Sequence, residues 1–472
     1  MKKLWFWFAG CLLALPLVLC IWGFALPAQY RETFLGELSA KRALLAEESD
    51  KPRLVLVGGS AVAFGVDSAL LEAQLPQYKV VNFGMYAALG TRVMLDLSEP
   101  LLREGDLVLV LPEQQQQTLS DYLGAQALWQ AADGDFTLLR CLHPRDAAVM
   151  LGYFPAFAAQ KFRFWCNGGP QLDGVYQQAS FNADGDIVSP LCTANQMPSG
   201  WDSTTPIRFD TALLDDTFCT ELNAYADRLA EQGVTVWYHF PPMNAAAVEP
   251  GSDVNAYAAA LQDALTLPLA GDPNACILDS GWFYDTNFHL NASGKTVFTR
   301  QLVRDIKAML GDSSPTDIAP PKMPEAASAT AEPAVLDDTD ADCFTYEETD
   351  SGLRLTGLTD EGLRRTALTV PGTKNGQPVT ELSAEVFAQS RVLRQIVIQA
   401  NITALPDGLF SGCTALQQVV LTRPDPDRLA VGQELLRDAP ASCTLTVPAD
   451  SYDRYCLSYA WSSYAPRLQP AG

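Results

Sequence analysis

Apolar and polar positions divide the chain into blocks with different periods. From Leu4 to Gln29 there is no charged residue, and Lys2 and Lys3 precede the run. About 20 apolar residues span a bilayer. Lysines in front of such a segment stay in the cytoplasm and place the bulk of the chain outside. A single-pass signal anchor over residues 1–29 is therefore expected, ahead of a cleaved signal peptide, whose apolar region is shorter and whose cleavage site needs small residues. Residues 30–52 read as a polar helical stalk. Beyond it, short apolar runs at Leu54–Val57, Val80–Phe83, Leu107–Leu111, Val234–Phe240 and Cys276–Leu278 predict strands. Between them lie helical patterns. In 210–232, Leu214, Phe218, Leu222, Tyr225 and Leu229 share one helical face, and Gly233 ends it. After Asn291 a last helix carries Phe298, Leu302, Val303 and Ile306. Strands alternating with helices predict an α/β domain over residues 30–310, a parallel sheet covered on both faces. Residues 114–205 fit the alternation poorly and read as an insertion. Its aromatic stretch YFPAFAAQKFRFW (153–165) is expected to pack as a helix, with a lid or sugar-stacking surface as the other reading.

Composition changes at residue 311. The stretch 311–342 holds five prolines and eight acidic residues with no aromatic, too little apolar surface to fold, and is expected to be a disordered linker. A repeat comes next. At an offset of 23 residues Val379 matches Ile402, Leu382 matches Leu405, Phe387 matches Phe410, Leu393 matches Leu416, and Ile396 matches Val419. A fixed apolar period of this length marks a leucine-rich repeat module, here 343–472, in which each turn buries its strand against the next. The pattern F-x-x-C-x-x-L-x-x-V-x-L and the closing VPADSYDRYCLSYAW resemble the bacterial surface-antigen (BspA-like) leucine-rich repeats over about 343–465. The resemblance implies a packing role for Cys413 and a protein or cell-wall partner for the module.

The 472 residues exceed one compact core, and 32 basic against 55 acidic residues leave a net charge of −23, which repels nucleic acid. Eleven cysteines are scattered with no CxxC pair, so no zinc site is expected. Cys166 with Cys192 and Cys443 with Cys456 are candidate disulfides; burial as small apolar side chains is the other reading. No metal or cofactor is expected.

The candidate chemistry starts at Gly58-Gly59-Ser60, after the first strand. A phosphate-binding loop would continue to a lysine, and a GxSxG elbow needs glycine where Val62 stands. What remains is a serine that needs a base. His143 lies in the insertion, and His239 lies in an apolar strand and reads as structural. His289 sits in the polar loop GWFYDTNFHLNASGK, four residues after Asp285, which could hold the imidazole in the right tautomer. Asp279 is the alternative acid.

Gly58-Gly59-Ser60, Gly84 in VVNFGMY, and Asp285 with His289 together resemble the SGNH (GDSL-type) hydrolases and acyltransferases over about 52–310. The resemblance implies a three-layer, flavodoxin-like domain with Ser60, Asp285 and His289 as the catalytic triad, and the N–H groups of Ser60 and Gly84 as an oxyanion hole. Two departures stand out. The acid–base spacing is Asp-x-x-x-His in place of Asp-x-x-His, and the Gly-x-Asn-Asp block is absent, with PEQQQQ after the third strand. Glu113 in that segment, and Asn82, are candidate substrate contacts, since parallel sheets bind ligands at their carboxyl ends. The function implied is an extracytoplasmic, membrane-anchored O-acyl esterase or O-acetyltransferase acting on cell-wall or exported glycan, or on a small acyl ester. The alternative is a non-catalytic surface protein whose degenerate hydrolase frame presents the repeat module.

Overall fold

The computed structural model describes residues 14–170, 172, 174–197, 200–202, 205–325, 336–349, 351–388, 390–432, 434–458 and 460–471. Lys2, Lys3 and Cys11 of the expected anchor, and 326–335 of the expected linker, lie outside the described residues. Among the described residues no helix is long and apolar enough to cross a membrane. The chain divides into two compact units, Met1–Asn195 with Ile207–Glu325, and Gln196–Pro206 with Ala326–Gly472.

The strands of the first unit are β1 (Arg53–Gly58), β2 (Lys79–Gly84), β3 (Leu107–Leu111), β4 (Thr235–His239), β5 (Met243–Asn244), β6 (Leu269–Ala270) and β7 (Ile277–Leu278). Its α-helices are α1 (Glu37–Ala46), α2 (Ser60–Gly65), α3 (Ser68–Gln74), α4 (Thr91–Ser98), α5 (Ala125–Ala131), α6 (Ala147–Cys166), α7 (Asp216–Glu231), α8 (Val254–Ala264) and α9 (Ala292–Met309). The main sheet runs β2-β1-β3-β4-β6, with every pair parallel. β1 and β3 are buried throughout, as a sheet covered on both faces requires. The mixed α/β class is as expected. The fifth strand is not: Ile277–Leu278 pairs with β5 in a separate two-stranded ladder, and Leu269–Ala270 takes the edge of the main sheet.

Three polar devices fix this frame. Aspartates cap helices: Asp67 accepts from Leu70 N, Asp215 from Thr217 N and Phe218 N, and Asp253 from Ala256 N. Asn291 caps α9 through Gly294 N at 2.9 Å. At the amino ends of β1 and β3, Arg53 and Asp106 form a buried pair, with Arg53 Nε 3.1 Å from both carboxylate oxygens.

The expected stalk is part of the body. Leu38, Lys41 and Leu45 of α1 are fully buried. The near end of the expected linker also docks: Ile318 is buried, and Gln74 exchanges hydrogen bonds with the Asp317 backbone. Among the described residues no disulfide forms. Cys166 is exposed at the end of α6 whereas Cys192 is buried, and Cys443 and Cys456 are separate buried residues of the second unit's core.

In the second unit, β8 (Phe344–Thr349), β9 (Gly352–Leu358), β11 (Thr373–Lys374) and β12 (Gln377–Leu382) form a mixed sheet. A parallel sheet has the order β10-β13-β15-β17-β18, built from Ala367–Thr369, Gln395–Ile398, Gln418–Leu421, Thr444–Val447 and Leu468–Pro470, and β14 (Ala404–Leu405) pairs with β16 (Ala430–Val431) in a separate ladder. Gln395 pairs with Gln418 and Ile396 with Val419, which is the 23-residue offset of the sequence. Phe387 stacks on Phe410 at 5.3 Å between ring centroids, and Cys413 is fully buried.

Candidate active site

β1 delivers the chain to Gly58-Gly59 and turns it into α2 at Ser60. These glycines are required by space. Gly59 has φ −84°, open to any residue, but a Cβ there would lie 2.8 Å from Glu113 Oε1 and 3.1 Å from Ala87 Cα. A Cβ on Gly58 would lie 2.5 Å from the Leu111 carbonyl oxygen. The pair lets the end of β3 and the loop after β2 close on Ser60.

Glu113 lies just past β3 and reaches that serine. The Ser60 hydroxyl donates to Glu113 Oε1 at 3.0 Å, and the Ala61 N–H donates to the same oxygen at 3.0 Å. Ser60, Glu113 and His289 are all buried. Burial pushes the Glu113 carboxyl above the usual carboxylate range, while the charge of His289 and the two hydrogen bonds pull the other way.

His289 and Asp285 belong to the loop leading into α9. His289 Nδ1 lies 2.9 Å from Asp285 Oδ1. The spacing of four works because Thr286 absorbs the extra residue: its hydroxyl accepts from Phe288 N and His289 N, while Tyr284 N donates to the His289 carbonyl. With Nδ1 on Asp285, Nε2 is left to take a proton. Phe64, one turn beyond Ser60 on α2, stacks on the imidazole at 4.1 Å with 5° between the planes. The structure thus brings Ser60, Glu113, Asp285 and His289 together at the carboxyl end of the sheet. Asp279 does not bond His289; it caps a turn through Gly281 N at 2.9 Å. The Ser60 hydroxyl is bonded to Glu113 and not to His289.

Gly84 and Asn82 have structural engagements. The Gly84 N–H donates to Asn82 Oδ1 at 3.0 Å, so it is not presented to a substrate oxygen. A Cβ on Gly84 would lie 2.3 Å from Val62 Cβ, so β2 needs glycine there to pack on α2. Asn82 is wholly buried, and its Nδ2 donates to Val62 O at 3.1 Å and Asp186 Oδ1 at 2.8 Å. Asp186 also accepts from Ser68 N and Ser68 Oγ, both at 2.7 Å. Lys41 donates to the carbonyls of Asn82 and Gly185, and burial lowers its pKa to about 8. Of the remaining histidines, His239 is a structural residue between the Phe240 carbonyl and Asp305, and His143 lies 3.3 Å from Asp96, away from Ser60.

Tyr176, Lys41 and Asp186 escaped sequence reasoning. The Tyr176 hydroxyl donates to Asp285 Oδ2 at 2.6 Å and lies 3.2 Å from His289 Nδ1, bracing the acid–base pair. It comes from the insertion, where no periodicity marks it. Lys41 had a signal: it falls on the apolar stripe of Leu38 and Leu45, where a lysine must find buried acceptors.

Among the described residues, no group of three or more His, Cys, Asp or Glu side chains is placed to hold a metal ion. No known protein family and no curated protein matches the chain.

Proposed function

We propose that the chain is a membrane-anchored, extracytoplasmic O-acyl esterase or O-acetyltransferase of SGNH type, acting on cell-wall or exported glycan. Residues 343–472 would form a short leucine-rich solenoid that attaches it to a protein or cell-wall partner. The observation that carries the reading is the Asp285–His289 pair at 2.9 Å, its imidazole stacked on Phe64 one turn beyond Ser60 and its Nε2 left over as a base. In the reaction the Ser60 hydroxyl turns from Glu113 to His289 Nε2, and its oxygen attacks the acyl carbonyl as its proton passes to His289. The tetrahedral oxyanion is met by the Ser60 N–H, a first-turn donor of α2 without an intrahelical acceptor. Collapse breaks the bond to the leaving alcohol, which takes the proton from His289. Water or a glycan hydroxyl then attacks the acyl-serine, with His289 again as base, and releases acid or acylated glycan. Asp285 stabilises the imidazolium at each stage.

A second reading, a non-catalytic surface protein, is favoured by the engagement of the Ser60 hydroxyl with Glu113 and of the Gly84 N–H with Asn82. A fluorophosphonate probe on the full chain separates the two. Labelling is expected on Ser60, absent in Ser60→Ala and steeply reduced in His289→Ala. Asp285→Asn is expected to slow it by up to about ten thousand-fold, as wrong-tautomer triads do, with Asp279→Asn close to wild type. A folded wild-type protein that takes no label would leave the surface-protein reading standing.

A further inference from the structure

The helix α6 runs 20 residues from Ala147 to Cys166 and is apolar on every side. Its inner side is accounted for, since Met150, Phe154, Phe157, Ala158 and Phe164 are buried in the body. Its outer side is not. Val149 is 45% exposed, Leu151 69%, Tyr153 42% and Trp165 48%, and the only charged residues between Asp146 and the helix end are Lys161, which is buried, and Arg163. A helix apolar all round is ordinarily enclosed on all sides. Here one side packs on protein, while Val149, Leu151, Tyr153 and Trp165 of the other are left partly open.

The N-terminal segment lies beside it. Its described end exposes Leu15, Leu17, Val18, Ile21 and Phe24, and it packs directly on α6. Trp22 stacks on Phe162 at 4.1 Å, and Phe24 stacks on Phe154 at 5.0 Å. A Cβ on Gly23 would lie 2.6 Å from the Phe154 ring, so glycine lets this segment touch α6. Leu151, Pro155 and Phe162 form one stripe of α6, so exposed Leu151 continues the face on which Trp22 lies, and Val149 and Tyr153 form the opposite flank of the exposed side. The joint is also locked by polar bonds. Lys161 Nζ donates to the Gly23 carbonyl at 3.0 Å and to Asp133 Oδ1 at 2.6 Å, and Gln29 N donates to Asp133 Oδ2 at 2.6 Å. No slack stretch of chain separates the apolar segment from the body.

We propose that α6 lies in the plane of the bilayer surface, its outer face seated among the lipid headgroups and upper acyl chains beside the N-terminal segment. Its inner face is fixed to the body, so it cannot cross the bilayer and rests in the interface. There Tyr153 and Trp165 have the side chains that prefer such a boundary. The net charge of −23 gives the surface no general attraction to anionic lipid, so apolar insertion carries the contact. Since α6 and the catalytic loop belong to one compact unit, this seating fixes the direction in which the crevice faces.

The proposal rests on the reading of residues 1–29 as an anchor, and the test keeps the two apart. The full chain, in phosphatidylcholine vesicles, carries a photoreactive residue at one position at a time: Leu151→benzoylphenylalanine, Tyr153→benzoylphenylalanine, Leu17→benzoylphenylalanine for the anchor, and Glu231→benzoylphenylalanine as an exposed control on α7. Each variant is checked for an unchanged melting curve, and adducts are identified by mass. Positions 151 and 153 are expected to give phospholipid adducts about tenfold or more above position 231, as residues of an interfacial helix would. Adducts at 17 but none at 151 and 153 overturn the seating of α6 and leave the anchor intact. Absence of adducts at 17 as well overturns both. Adducts of 151 or 153 to protein alone show that protein covers this face and overturn the proposal.

Discussion

The Ser60 hydroxyl has one acceptor at rest, the Glu113 carboxyl, and that acceptor is itself out of water. Burial raises the carboxyl's affinity for a proton above its value in the unfolded chain. A raised folded-state value means that Glu113 supports folding most below the ordinary carboxylate range. That support is lost as pH climbs through the raised value, because the buried group must then ionise. Glutamine cannot ionise, yet it still offers an oxygen to Ser60 and to the Ala61 N–H. Glu113→Gln is therefore expected to melt higher than the wild type at pH 7.5, with the gain shrinking at pH 4.5. A variant that melts lower at pH 7.5 would mean that the negative charge is a net stabiliser of the site.

Among the elements, β1, β2 and β3 were legible because each is a run of apolar residues bounded by turn-forming or polar ones, as in a strand buried on both faces. The fifth strand was not: Leu269–Ala270 is two residues long, too short for any period, while the more apolar Cys276–Leu278 pairs outside the main sheet. α1 is hard to place from sequence because Lys41 and its neighbours read as solvated, whereas carbonyl acceptors make Lys41 an interior residue. In the site, Ser60, Asp285 and His289 announce themselves by a glycine pair and a polar loop. Tyr176 and the Ser60–Glu113 bond depend on segments distant in sequence that only the folded sheet brings together. The same holds for the pair that joins β1 to β3. Asp106 accepts from Arg53 and from the N–H groups of Arg53 and Arg103. Asp106→Ala leaves a buried guanidinium without its counter-charge and is expected to destabilise the first unit by about 3–5 kcal/mol, read as a lower urea midpoint. Adding Arg53→Met should recover much of the loss, since apolar groups of similar volume replace buried ion pairs well. No recovery would mean that the backbone N–H bonds to Asp106 dominate.

At the scale of the whole molecule, each compact unit has a hydrophobic core of its own, and every residue of the candidate site lies in the first. Deleting residues 326–472 is therefore expected to leave probe labelling and turnover of a small acyl ester nearly unchanged, while attachment to whole cells falls. A truncated chain that melts normally but loses turnover would show that the second unit completes the site. The pairing of Gln395 with Gln418 and of Ile398 with Leu421 has another consequence. The neighbouring pairs Ala367–Gln395, Gln418–Thr444 and Leu445–Leu468 are offset by 28, 26 and 23 residues, so the strands keep register while their connections differ in length. A duplication of 23 residues inserts one more strand between existing neighbours and leaves every inward side chain facing inward. A gain or loss of a single residue within a strand turns its inner face outward, whereas the same change in a connection is absorbed there. Over generations this part of the chain is free to lengthen or shorten by copying a whole turn, and to change by single codons only in the connections between its strands.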